Sequence, residues 1–207
     1  KKNKTQGAMN VKGLGWDATL GGRDFDMIVF DMLADEFNKV ALKGKDDVRK
    51  YPKAVGKLRK AAESTKDILS ANVKYQVGIE SLHEERDLRM IISRDDFEAE
   101  AEKRGLWKRL EAPLASALAA ANLTKEEIHR VEVVGGATRI PRVKEAALSF
   151  FGRKTLDGSL NGDEAAALGA TLYAAKLSTS FRLREFTIVD AFPHAASIKI
   201  VGNDDGD

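Results

Sequence analysis

Residues 131–151, VEVVGGATRIPRVKEAALSFF, decide how this chain is read. Val131, Val133 and Val134 form a short branched apolar run that predicts a strand, and the stretch after Pro141 has the apolar spacing of a helix. Between them stands Gly135-Gly136. Losing two Cβ atoms at such a corner fits a tight strand-to-helix turn. It equally fits a place where a ligand presses against backbone while the first N–H groups of the helix point at it. Arg139 follows closely, and its planar guanidinium suits either stacking on an aromatic base or a surface position at a helix start.

The same order of strand, glycine pair and helix is predicted near the other end, in VKGLGWDATLGG at 11–22. A strand is expected over 11–16, then Gly21-Gly22, then a helix. That helix carries Phe25, Ile28, Val29, Met32, Phe37 and Val40 on one face, with Asp24 capping its start and Gly44 ending it. A charged stretch, KGKDDVRK, precedes a long helix opening at Pro52, a residue tolerated in a first turn because its missing N–H would be unpaired there. Val55, Leu58, Ala62 and Leu69 share its inner face. Residues 73–79 alternate apolar and polar, which predicts a half-exposed antiparallel strand, with HEERD as the turn and LRMII as the return strand.

Ser93 with Asp96, and Thr124 with Glu127, have the spacing of capping boxes and predict two helix starts. In the first of these helices, Gly105 and Pro113 predict a bend or break. A small-residue helix is expected in DEAAALGATLYAAKLS, and strands in FTIVD and ASIKIV. The sum is an α/β base with an insertion at about residues 45–128.

Composition narrows the chemistry. The 207 residues are 43% hydrophobic, enough for a core, and 34 Lys and Arg against 32 Asp and Glu are interleaved, so no basic footprint for nucleic acid is present. There is no cysteine, which excludes disulfides and thiolate sites, and no apolar run reaches the ~18 residues of a membrane span. Three scattered histidines, with no G-x-S-x-G or H-E-x-x-H, argue against common hydrolytic and metal sites. On the long helix, Glu63, Lys66 and Ser70 fall within about 60° of one another at ~100° per residue. They read as a solvated flank or as a trio able to hydrogen-bond a ribose and a base edge. The chain opens at Lys1 and stops just after an apolar alternation, so a segment of a longer protein is expected. Asn3-Lys4-Thr5 and Asn122-Leu123-Thr124 are glycosylation acceptors if the chain enters the secretory pathway.

LGGRDFD, ILSAN, VGGATRIPRVKE and LNGDEAAALGA occur in the order and at roughly the separations of the seventy-kilodalton heat-shock chaperone (heat shock protein 70) family. Nearly the whole chain resembles the second lobe of that family's nucleotide-binding domain. ILSAN, ESLHEERD and LREFTIVDAF are most similar to its large subfamily, the endoplasmic-reticulum glucose-regulated (hypoxia up-regulated) type and its cytosolic large cousins. The resemblance implies an α/β actin-like ATPase (ribonuclease H-like) lobe with an inserted helix-plus-hairpin subdomain. It divides the chain into a base of 1–44 and 129–185, an inserted subdomain of 45–128, and the start of a β-rich substrate-binding domain at 186–207.

The resemblance also implies a cofactor, ATP or ADP, with magnesium bound through the nucleotide. Gly135, Gly136 and Ala137 would form the adenosine loop and Arg139 would stack on adenine. Glu63, Lys66 and Ser70 would reach ribose and base, Gly22 would approach the phosphates, and Asp163 would close the floor. Three positions depart from the family pattern: Asp67 stands where arginine is usual, Arg23 where glutamate is common, and Gly162 where proline or alanine is usual. Without the other lobe and its phosphate loops, this chain alone is not expected to hydrolyse ATP. The implied parent binds unfolded client proteins and promotes nucleotide exchange on a smaller heat-shock chaperone, in the endoplasmic reticulum lumen or, alternatively, the cytoplasm. Two competing readings are a sugar-kinase-like lobe of the same superfamily and an interaction module that has lost nucleotide binding.

Overall fold

The computed structural model describes residues 7–180, 182–194 and 197–198. Strand β1, Gly7–Asn10, pairs in parallel with β4, Phe186–Val189, in the register Gly7 with Phe186 through Asn10 with Val189. Residues distant in sequence thus share one two-stranded ribbon. The strand expected over 11–16 lies earlier, because the chain there crosses a helix at backbone contact. A Cβ on Gly13 or Gly15 would land on the carbonyl oxygens of Ala117 and Pro113, so this stretch is spent on close approach rather than on a ladder.

Helix α1, Gly22–Val40, follows Gly21, whose N–H donates to Asp24 Oδ2 at 2.7 Å. Asp24 therefore acts from the first turn, closing back on Gly21. Phe25, Ile28, Val29, Leu33 and Phe37 are buried on one face of α1, each worth about 1.5–3 kcal/mol when fully removed from water. Gly44, at φ +69°, lies in the left-handed turn after this helix.

Helix α2, Pro52–Ala71, starts with its proline in the first turn, as expected, and buries Leu58, Ala62 and Leu69 against α1 and the hairpin. The hairpin is antiparallel: β2, Lys74–His83, pairs with β3, Arg86–Ser93. Glu84 and Glu85 make the two-residue turn with φ of 49° and 57°, the twist that two-residue hairpins favour. Val77, Ile79, Leu88 and Ile92 face the core.

Helix α3, Arg94–Lys103, has the full capping box, with Ser93 and Asp96 bonded reciprocally. The expected break falls at Gly105, left-handed at φ +69°, and α4, Leu106–Ala121, begins after it. Pro113 stays inside α4. Phe25, Phe97 and Trp107 meet where α1, α3 and α4 join, with ring centroids of Phe25 and Trp107 5.3 Å apart. A single buried cluster thus runs from α1 through Trp107 and takes in Ile140.

Two expectations are corrected beyond α4. Thr124 N–H does donate to Glu127 Oε2 at 2.8 Å, but only a turn follows. The box satisfies its own donor without an apolar face to propagate a helix. Residues 131–134 form no strand: Glu132 bridges Asp157 in parallel and nothing extends the ladder. Beyond them come a short 3-10 turn at Gly136–Arg139, then α5, Pro141–Phe151, and α6, Ala165–Leu177. The strand expected in ASIKIV falls largely outside the described residues. No helix among the described residues is long and apolar enough to cross a membrane.

Candidate functional site

The N-terminus of α1 faces the glycine turn before α5. An added Cβ on Gly22 would stand 3.7 Å from Ala137 Cβ and 3.8 Å from Lys66 Nζ, so three of the expected site residues, drawn from three separate elements, converge. Lys66 is 7% exposed, held under this corner by α2. Its ammonium sits 2.7 Å from Asp26 Oδ1 and 3.9 Å from Asp67 Oδ1. Asp26 gives Lys66 the counter-charge that a buried cation requires. Glu63, one turn earlier on α2, is exposed and lines a cavity of about 250 Å³ with Arg23, Asp26 and Met27.

A second group surrounds the glycine pair. Gly135 has φ +106°, which only glycine adopts without strain, so its identity has a backbone reason. Gly136 is different: a Cβ there would meet nothing within 4 Å, and its φ is not in the left-handed region. No internal packing demands glycine at 136. Arg139 Nη2 donates to both carboxylate oxygens of Asp163, at 2.7 and 2.6 Å. The pair is about half exposed, so the guanidinium plane is anchored at one edge while its faces stay open. Gly135, Arg139, Gly162 and Asp163 together line a cavity of about 460 Å³.

Ser70 stands apart from both groups. Its hydroxyl donates to Lys66 O at 3.1 Å, one turn back on its own helix, so it shares the helix with Lys66 but is already bonded. Sequence reasoning missed Asp26. The signal was there: a carboxylate beside the apolar stripe Phe25, Ile28 and Val29 needs a cation from a neighbouring helix. It also missed the clamp of Arg109 on Asp17 and Thr19, with Nε to Asp17 Oδ2 at 2.8 Å and Nη2 to Asp17 Oδ1 at 2.7 Å. That bond holds the loop before Gly22 against α4 and pulls the Asp17 carboxyl down to about 2. Nothing in the sequence links positions so far apart.

A corner built from a helix N-terminus, a buried lysine and a side-chain-free turn is what a nucleotide-binding α/β lobe offers its ligand. The profile of the Hsp70 protein family matches residues 3–205. The chain belongs to the Hsp70 family, whose nucleotide-binding domain has the actin-like ATPase fold. Among its relatives, Heat shock 70 kDa protein 17 of Arabidopsis thaliana is 42% identical over 93% of this chain and 22% of that protein. Hypoxia up-regulated protein 1 of Danio rerio is 40% identical over 92% of this chain and 19% of that protein. Heat shock protein hsp88 of Neurospora crassa is 43% identical over 89% of this chain and 25% of that protein. The chain thus spans about a fifth to a quarter of the length of these curated relatives. Membership of this family displaces the sugar-kinase reading.

Proposed function

We propose that this chain supplies the adenosine-binding half of the nucleotide cleft of a large-type Hsp70 chaperone. The observation that carries the reading is Gly136, an exposed glycine at the mouth of the converged corner, with neither a backbone nor a packing reason to lack a side chain. Its open space is available to a ligand from outside the chain. Gly135, Gly136 and Ala137 would hold the adenosine body, and Arg139, tethered by Asp163, would lie over the base. Glu63 and Lys66 would take the ribose and base edge, with Ser70 contributing only after its bond to Lys66 O is released. Gly22, at the N-terminus of α1, would approach the phosphates of ATP or ADP, whose magnesium is bound through the nucleotide. The nucleotide supplies the phosphoryl chemistry; this half of the cleft binds and orients it.

The proposed division assigns 1–44 and 129–185 to the base, 45–128 to the inserted subdomain, and 186–207 to the start of the substrate-binding domain. Burial qualifies it physically, because α1 shares its core with α2 and β3, so the hinge between base and insertion would have to spare that contact. The parent would serve as nucleotide-exchange partner of a smaller heat-shock chaperone and hold unfolded clients, in the endoplasmic reticulum lumen, or in the cytoplasm.

Gly136→Val in the two-lobed protein tests the site. A branched side chain would fill the adenosine space, and its Cβ would meet nothing within 4 Å among the described residues. Calorimetric titration is expected to show ATP affinity reduced at least about tenfold, equivalent to ~1.4 kcal/mol, with the thermal midpoint little changed. Unchanged affinity would leave the corner as a turn and favour the interaction-module reading.

A further inference from the structure

We propose that Asn122 is an acceptor for N-linked glycosylation, taking an oligosaccharide from a lipid-linked pyrophosphate donor. Asn122-Leu123-Thr124 has the required N-x-T pattern, and the residue between is not proline. The structure adds what the pattern cannot give. Asn122 ends α4 in a left-handed turn, φ 53°, where its N–H closes the helix on Ala119 O and Leu118 O. Its backbone is therefore occupied while its side chain is exposed and makes no hydrogen bond among the described residues. Thr124 is exposed too. Lys125 anchors the far side of the turn, its ammonium 3.8 Å from the centre of the Phe150 ring. A glycan on Asn122 would project from a fixed corner without displacing core, and Asn122 is not among the residues that build the nucleotide corner.

The step balances simply. The Asn122 Nδ2 forms a bond to the anomeric carbon, the bond from that carbon to the pyrophosphate oxygen breaks, and the lipid pyrophosphate leaves with the bonding pair. One amide proton passes to a base of the transferase. The inference rests on the proposed endoplasmic-reticulum location, so its test must separate the two.

Asn122 also has a purely local role, since asparagine tolerates the left-handed cap, whereas the bond from Thr124 to Glu127 is donated by the Thr124 backbone N–H and does not depend on its side chain. Substitutions that keep the cap and that bond and break the sequon separate the readings. The full chain, carrying Asn3→Gln and a reporter sequon appended at its C terminus, is translated behind a signal peptide with microsomes. Two glycan-sized mobility increments, both removed by peptide N-glycosidase, are expected. Asn122→Gly, which keeps the left-handed cap, and Thr124→Ala, which leaves the backbone bond to Glu127 in place, should each remove one increment, whereas Thr124→Ser should retain it. Modification of the reporter alone, or two increments that survive Asn122→Gly, would overturn the proposal. Fractionation of the cellular protein outside the endoplasmic reticulum would overturn the location and leave the microsome result standing.

Discussion

Lys66 brings a charge into a packed corner, and Asp26 makes that tolerable. Their side chains are 8% and 24% exposed, so removing the lysine strands a carboxylate with little water to replace its partner. Lys66→Met is expected to destabilise the chain by about 2–3 kcal/mol, somewhat below the range for a fully buried pair because Asp26 keeps some solvent. The double substitution with Asp26→Leu should recover at least half of that, read as urea midpoints; a double mutant no better than the single would mean the lysine's stem, not its charge, matters. Asp67 lies next along the helix, half exposed and loosely paired with Lys66. If adenine lies over Arg139 on one side and the α2 face on the other, Asp67→Arg offers a second cationic plane worth roughly 0.5–2 kcal/mol. The two-lobed protein should then bind ATP about two- to thirtyfold more tightly by calorimetry, a gain that Arg139→Ala largely removes. Additive effects of the two changes would place the base elsewhere.

The loop between β1 and α1 shows how an element is held by distant partners. Arg109 on α4 binds Asp17 and Thr19, and the Arg109 hydrogen bond, with the Thr19 N–H, lowers the Asp17 carboxyl from 3.8 to about 2. A carboxyl depressed in the folded state contributes stability above its ordinary range and loses it as pH falls through the folded value. The clamp should therefore be intact at neutral pH and open progressively between about pH 4 and 2. Thermal midpoints of Asp17→Asn should fall less steeply than wild type across that window and differ from it by a constant above pH 5; parallel curves throughout would mean the clamp does not titrate there. Local signals told part of this. Pro52, the Ser93–Asp96 box and Gly105 punctuated helices as their chemistry requires, because caps and breaks depend on residues within a few positions. Thr124–Glu127 carried the same signal without a helix, since propagation needs a face to bury and none follows.

Across the whole molecule, burial is uneven. The cluster that joins α1, α2, the hairpin, α3 and the start of α4 holds nearly all the buried apolar side chains, whereas α6 buries none and leaves Leu168, Leu172, Tyr173 and Leu177 about half to two-thirds exposed. Hydrogen exchange of the isolated chain should follow that division, with α6 amides exchanging at least about a hundredfold faster than those of α2. Equal protection in the two helices, persisting on dilution, would show that α6 is covered within the chain itself.

The hairpin, the long helices with their caps at Pro52 and Ser93, the break at Gly105 and the glycine corner were determined by the sequence alone, because periodicity, turn residues and steric freedom act over a few residues. The strands expected at 11–16 and 131–134 and the helix expected after Thr124 were not, because each needed a partner or a face to bury. Its motifs, in their order, also carried the family and hence the residues expected at the nucleotide. Pairing was another matter. That β1 meets β4, that Gly13 and Gly15 lie on α4, that Asp26 receives Lys66 and that Asp163 tethers Arg139 depended on chain segments 24 to more than 170 positions apart being brought together. Such contacts are settled by which faces the buried core leaves adjacent, and no local pattern encodes that.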